Sequence, residues 1–196
     1  MLPAQPPPQP TPSPAPAVEP ATFAGGCFWC LEAVFLRMKG VVHVEPGYSN
    51  GDHPQPSYAL VCGGDTGHAE VVRVHFDPSV VSYRQLLAVL FRIHDPTTLN
   101  RQGHDVGSQY RSGIYTHNEA QAAAARQAIA DLTAAGAYDR PIVTEVQPVA
   151  NYHVAEGEHH GYFDRNPYQG YCAMVVAPKV VAFERSFPEW AAGAPG

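Results

Sequence analysis

The chain has 196 residues, of which only 15% are charged against a usual share of about 25%, and its net charge is −6 with histidines neutral. That length fits one domain with a substantial core, and a negative sign without any lysine or arginine cluster excludes a nucleic-acid-binding protein. Four cysteines are too few for a disulfide scaffold, no apolar run approaches the roughly 18 residues of a membrane span, and the N-terminus lacks the pattern of a secretory signal. Thiol chemistry or packing in a reducing compartment, the cytoplasm, is therefore the expectation, in a chain that nothing marks as more than a monomer.

Residues 1–20 carry nine prolines and almost nothing apolar, which predicts a disordered or polyproline-like tail, either solubilising or a ligand for a partner. The folded domain is predicted over residues 21–185, followed by a C-terminal tail from 186 to 196. Ala21 to Ala24 reads as a strand. Phe28, Leu31, Phe35 and Met38 recur at helical spacing up to Gly40, and Val41 to Val44 reads as a second strand. Glu70 to Phe76 alternates strictly, with Val72, Val74 and Phe76 on one face and Arg73 and His75 on the other. Ser82 and Gln85 form a capping-box pattern ahead of Leu86, Leu87, Leu90 and Ile93. Ser112 to Tyr115 reads as a short strand, Asn118 and Gln121 open an alanine-rich helix ending near Gly136, and Ile142 to Val149 reads as a strand. A short helix is expected over Ala155 to Phe163. Helices and strands without βαβ regularity predict an α+β domain, one mixed β-sheet with helices packed on it.

The chemistry gathers first at Gly25-Gly26-Cys27-Phe28-Trp29-Cys30. A cysteine at a helix start faces unpartnered backbone N–H groups and the positive end of the dipole, so Cys27 is expected to be a nucleophile of depressed pKa, walled by the two aromatic residues. Packing, or half of a zinc site, is the plainer use of a CxxC pair. Glu70 shares parity with the apolar face of its strand. If it does not turn outward at the sheet edge, desolvation raises its pKa and suits it to donate a proton. The polar connection from His94 to Ser112 is long for a compact domain and offers Asp105 and Tyr110, with Tyr58 as a further phenol. Cys62, in an apolar run, reads as a packed bystander. His153, His159 and His160 match no metal-ligand spacing and read as solvated.

These motifs resemble the A-type peptide methionine sulfoxide reductases. The match runs through Gly25 to Trp29, Gly63-Gly64-Asp65-Thr66-Gly67-His68-Ala69-Glu70, Phe76-Asp77-Pro78, His94-Asp95-Pro96-Thr97, Arg101 to Tyr115, Asn166-Pro167 and Gly170-Tyr171-Cys172, over roughly residues 20–180. The resemblance implies a two-layer α+β sandwich. It also implies that Cys27 attacks the sulfoxide sulfur, Glu70 protonates its oxygen, Tyr58 and Tyr110 hydrogen-bond that oxygen beside Asp105, and Phe28 and Trp29 enclose the substrate methyl group. The resulting sulfenic acid is resolved by Cys30 or Cys172, with Cys30 favoured as the first resolver and a relay through both left open. A thioredoxin-like reductant then restores the enzyme, without metal or organic cofactor, and the S epimer is the implied substrate. Three other readings compete. A zinc deaminase would use His68, Glu70 and the CxxC, but the order of its motifs is reversed here. A general thiol–disulfide oxidoreductase has no need of Glu70, and a binder of oxidised methionine has no need of the thiol.

Overall fold

The computed structural model describes residues 14–15 and 17–193, so most of the proline-rich tail expected over residues 1–20 lies outside the described residues. Strand β1 (Glu19–Gly25) begins two residues ahead of Ala21 and occupies the centre of a six-stranded sheet. Its neighbours are β3 (Ala69–Phe76) and β6 (Ser112–Thr116), both antiparallel to it. Beyond β3 lie β2 (Val41–Ser49) and the two-residue β8 (His153–Val154), while β7 (Glu145–Pro148) joins β6 in parallel. The sheet is therefore mixed, in the order β7-β6-β1-β3-β2-β8, with β4 (Arg101–Gln102) and β5 (Asp105–Val106) forming a separate small hairpin.

One face of this sheet carries the core. Phe23, Val72, Val74 and Phe76 point into it and meet α1 (Phe28–Phe35), α3 (Tyr83–Ile93) and α6 (Ala177–Ser186) through Phe35, Leu86, Leu90 and Phe183, all fully buried or nearly so. The opposite face is covered mainly by side chains and the chain after β7. There Arg73 lies 3.6 Å over the Tyr152 ring, and Ala69, Val71 and Tyr115 form a small second cluster. The expected capping box on α3 is present, with Ser82 Oγ accepting from Gln85 N–H and the Gln85 side chain accepting from Ser82 N–H. Asn118 caps the long helix α4 (Glu119–Ala134).

Three segments differ from expectation for identifiable reasons. β2 continues past Val44 through Pro46, because the Pro46 carbonyl accepts from Ala155 N–H and only its missing donor is lost. β7 is shorter than Ile142 to Val149, since Val143 N–H turns away to the Pro96 carbonyl. The helix expected over Ala155 to Phe163 is split into a 3₁₀ turn (Gly157–His159) and α5 (Tyr162–Arg165) by Gly161, whose φ is +64°. The C-terminal segment docks on the end of α1: Trp190 stacks on Phe187 at 4.7 Å, its carbonyl accepts from Lys39 N–H, and Ala192 N–H donates to the Arg37 carbonyl.

Candidate active site

Strand β1 delivers the chain to the site through Gly26, which needs to be glycine. Its φ is +91°, and a Cβ there would sit 2.6 Å from the Gln102 side chain. Cys27 follows as the residue at the N-terminus of α1, 8% exposed, and Cys30 lies one turn on, fully buried. The donors at this helix start are shared out. Phe28 N–H donates to Glu70 Oε1 at 3.1 Å, and Trp29 N–H serves the Cys27 sulfur.

Glu70 enters from β3 on the parity the alternation predicted and is 1% exposed, so it does not turn outward at an edge. Burial pushes its pKa up to about 8, against the opposing pull of the Phe28 N–H. It holds a proton at neutral pH. The expectation for Cys27 is corrected in the opposite sense, because burial raises its pKa, the Cys30 thiol raises it further, and Glu70 adds to this once it ionises. Magnitudes explain the reversal. A helix terminus contributes roughly 0.3–1 kcal/mol, less than one pKa unit, whereas burial of a charge moves a pKa by up to about 3–5 units. Cys27 therefore rests as a thiol, hydrogen-bonded to Cys30, beside a protonated carboxyl group.

Around this pair stands an aromatic cage. Phe28 is fully buried and packs on Tyr48 at 5.8 Å, on Tyr58 at 6.3 Å and on His159 at 5.2 Å between ring centres. Trp29 is half-buried and lies flat on Tyr162 at 3.8 Å. Tyr58 opens the short helix α2 (Tyr58–Cys62), and Tyr110 ends a 3₁₀ turn (Ser108–Tyr110). Burial holds both phenols protonated, with Glu70 adding to the effect on each. Asp105, on β5, accepts a 2.6 Å hydrogen bond from Tyr171 Oη, whose oxygen lies 4.0 Å from the Cys30 sulfur. Cys172, the next residue, is fully buried at the start of a π-helical turn (Cys172–Val176).

The candidate site residues thus gather around the N-terminal end of α1, with two corrections among the bystanders. Cys62 is exposed at the end of α2 rather than packed: Val61 is the buried residue of that helix, and the Cys62 thiol hydrogen-bonds instead to the Tyr58 and Tyr110 side chains. His159 is buried rather than solvated, at 4% exposure. Its Nδ1 accepts from the Trp29 indole N–H at 3.2 Å. Glu156, unremarked in the sequence, accepts from Tyr48 Oη and from Tyr58 N–H, both at 3.0 Å. Tyr171 had a signal in its place beside Cys172; Glu156 and His159 had none beyond the polar, aromatic character of the segment after Ala150.

Comparison with known proteins agrees with this geometry. A family model described as peptide methionine sulfoxide reductase matches residues 19–191. The peptide methionine sulfoxide reductase MsrA of Polynucleobacter asymbioticus is 51% identical over 170 residues, covering 87% of this chain and 90% of that protein. The crystal structure of Mxr1 from Saccharomyces cerevisiae in reduced form superimposes with a TM-score of 0.75 at 38% identity, over 84% of this chain and 93% of that one. Mxr1 in complex with Trx2 matches with a TM-score of 0.53 at 27% identity, over 76% of this chain and 87% of that one.

Proposed function

This chain belongs to the peptide methionine sulfoxide reductase family, and from that premise we propose that it reduces the S epimer of methionine sulfoxide, free or in proteins, with Cys27 as nucleophile and Glu70 as proton donor. The observation that carries the reading is Glu70: a carboxyl group 1% exposed, protonated at neutral pH, and bonded to the same helix start that presents Cys27. A sulfoxide sulfur is a poor electrophile until its oxygen is protonated, and a buried acid of this kind supplies that proton.

The atoms balance as follows. Glu70 gives its proton to the sulfoxide oxygen while the Cys27 thiol gives up its own, which restores Glu70, and the sulfur of Cys27 attacks the sulfoxide sulfur. The oxygen passes from the methionine sulfur to the Cys27 sulfur as the transient S–S bond breaks, methionine departs with the electron pair it regains, and Cys27 is left as a sulfenic acid. Tyr58 and Tyr110 donate to the oxygen as charge develops on it, Phe28 and Trp29 enclose the methyl group, and Asp105 holds Tyr171 at the rim. The Cys30 thiol then attacks Cys27, an S–S bond forms and water leaves. Cys172 takes over the disulfide by exchange with Cys30, freeing Cys27, and an external dithiol supplies the two electrons that close the cycle. No metal or organic cofactor enters these steps. The complex of Mxr1 with Trx2 supports a thioredoxin as that dithiol. We further propose that the chain works as a monomer in a thiol-rich compartment, the cytoplasm; no described helix is long and apolar enough to cross a membrane.

A single turnover of the reduced protein on resolved S and R sulfoxide peptides, without added reductant, tests this reading. One methionine per chain from the S epimer alone, with two thiols lost, is the expected result. No methionine from either epimer would overturn it.

A further inference from the structure

The segment from Ala155 to Asp164 packs on Trp29 and Tyr58, and His159 is its most deeply buried polar side chain. Its surroundings determine which ring nitrogen carries the proton. An indole N–H can only donate, so the Trp29 Nε1–H bond at 3.2 Å requires a lone pair on His159 Nδ1. The proton then sits on Nε2, which has no hydrogen-bond partner among the described residues but faces Glu156 Oε2 at 3.8 Å and Glu158 Oε1 at 3.7 Å. The two carboxylates favour this tautomer over the other. Burial keeps the ring neutral by lowering its pKa, although those carboxylates oppose the shift.

Trp29 is thereby held twice. Tyr162 covers one face of the indole at 3.8 Å with the planes within 7°, and His159 pins its N–H edge. We propose that His159 is a positioning residue of the reductase: by accepting the Trp29 indole N–H it fixes the aromatic wall against which the substrate methyl group packs. The inference rests on the reductase reading of the pocket. Without the acceptor, the half-buried indole N–H must turn toward water to recover a partner, and the wall turns with it.

Glu156, Glu158 and His159 bring metal-ligand atoms within 4.8 Å of one another. The Trp29 bond argues against a cation there. It keeps the proton on Nε2, where a metal would need the lone pair, and moving that proton to Nδ1 would set one N–H against another.

Two substitutions separate the bond from the bulk. His159→Asn places an amide oxygen near the position of Nδ1, whereas His159→Leu fills the space and accepts nothing. For His159→Leu, KM for the S-sulfoxide peptide should rise about fivefold to tenfold, the loss of one hydrogen bond, with kcat changed less than about twofold. His159→Asn should restore KM to within about twofold of the parent protein. In proton–nitrogen NMR of the reduced protein, the Trp29 indole resonance, assigned with Trp190→Phe, should shift in His159→Leu and stay in place in His159→Asn. On a Trp29→Phe background His159→Leu should add almost nothing to KM, which keeps the test decisive if the single variant folds poorly. An unmoved indole resonance with unchanged KM in His159→Leu would overturn the proposal, as would equal losses in both variants. Failure of the parent protein to turn over would instead remove the reductase reading, while the indole resonance would still report whether the bond exists.

Discussion

Helix α1 and the Ala155–Asp164 segment meet at one pocket but contribute to it in opposite ways. α1 follows directly on Cys27 with Phe28, Trp29 and Cys30, buries most of its length and keeps the Cys27 thiol protonated through a low-dielectric surrounding. The later segment has no regular run longer than four residues. It is held by polar bonds to distant parts of the chain: Glu156 to Tyr48 and Tyr58, His159 to Trp29, Gly161 N–H to Glu32, and Asp164 to Arg37. Burial alone would leave the aromatic wall free to turn, and polar bonds alone would leave the thiol and carboxyl groups unperturbed. The site needs one region to set protonation and the other to set orientation.

Substitutions should separate these two contributions. The largest effect is expected from Cys27→Ser, which should abolish turnover in a reductant-coupled assay while leaving the circular dichroism spectrum intact. Glu70→Gln should slow the first chemical step by about 10²–10⁴-fold in a rapid-quench single turnover, with substrate binding nearly unchanged.

Glu70 also makes a pH prediction with a definite sign. Its folded pKa of about 8 lies above the ordinary 4.5, so the native state holds the extra proton between those values. Stability should fall as pH rises through that window, and the rate of the reductive step should fall through about pH 8. Glu32, raised to about 7 by burial, adds to the decline in stability. Thermal melts of Glu70→Gln should show a shallower decline, leaving it more stable than the parent at pH 9 relative to pH 5.

Breaking the second region should read out differently. Arg37→Met leaves Asp164, itself a third exposed, without its partner, so urea titration should show a loss of about 2–3 kcal/mol, below the cost of a fully buried pair. Because that end of the segment positions Tyr162 over Trp29, KM should rise more than kcat falls. Ser82→Ala, far from both regions, should cost about 1 kcal/mol and leave KM and kcat alone.

The difference between the two regions also explains what was legible in the sequence. α1 announces itself by contiguous motif and periodicity, β3 places Glu70 by strict alternation, and the cap of α3 follows from two residues three apart. Glu156 and His159 act through bonds spanning 98 to 130 residues with no period to betray them, and a split turn replaces the helix that spacing suggested. The Cys27 protonation state was misjudged for a related reason. A helix start is visible in sequence, but the burial that outweighs it depends on everything packed around Cys27.

The most direct measurement is to stop the cycle on the nucleophile. In a Cys30→Ser, Cys172→Ser variant, one equivalent of S-sulfoxide peptide should yield one methionine. Intact-mass analysis and a sulfenic-acid trap should find one added oxygen, mapped to Cys27. Methionine released with the oxygen absent from Cys27, or trapped on Cys62, would contradict the assignment of the nucleophile.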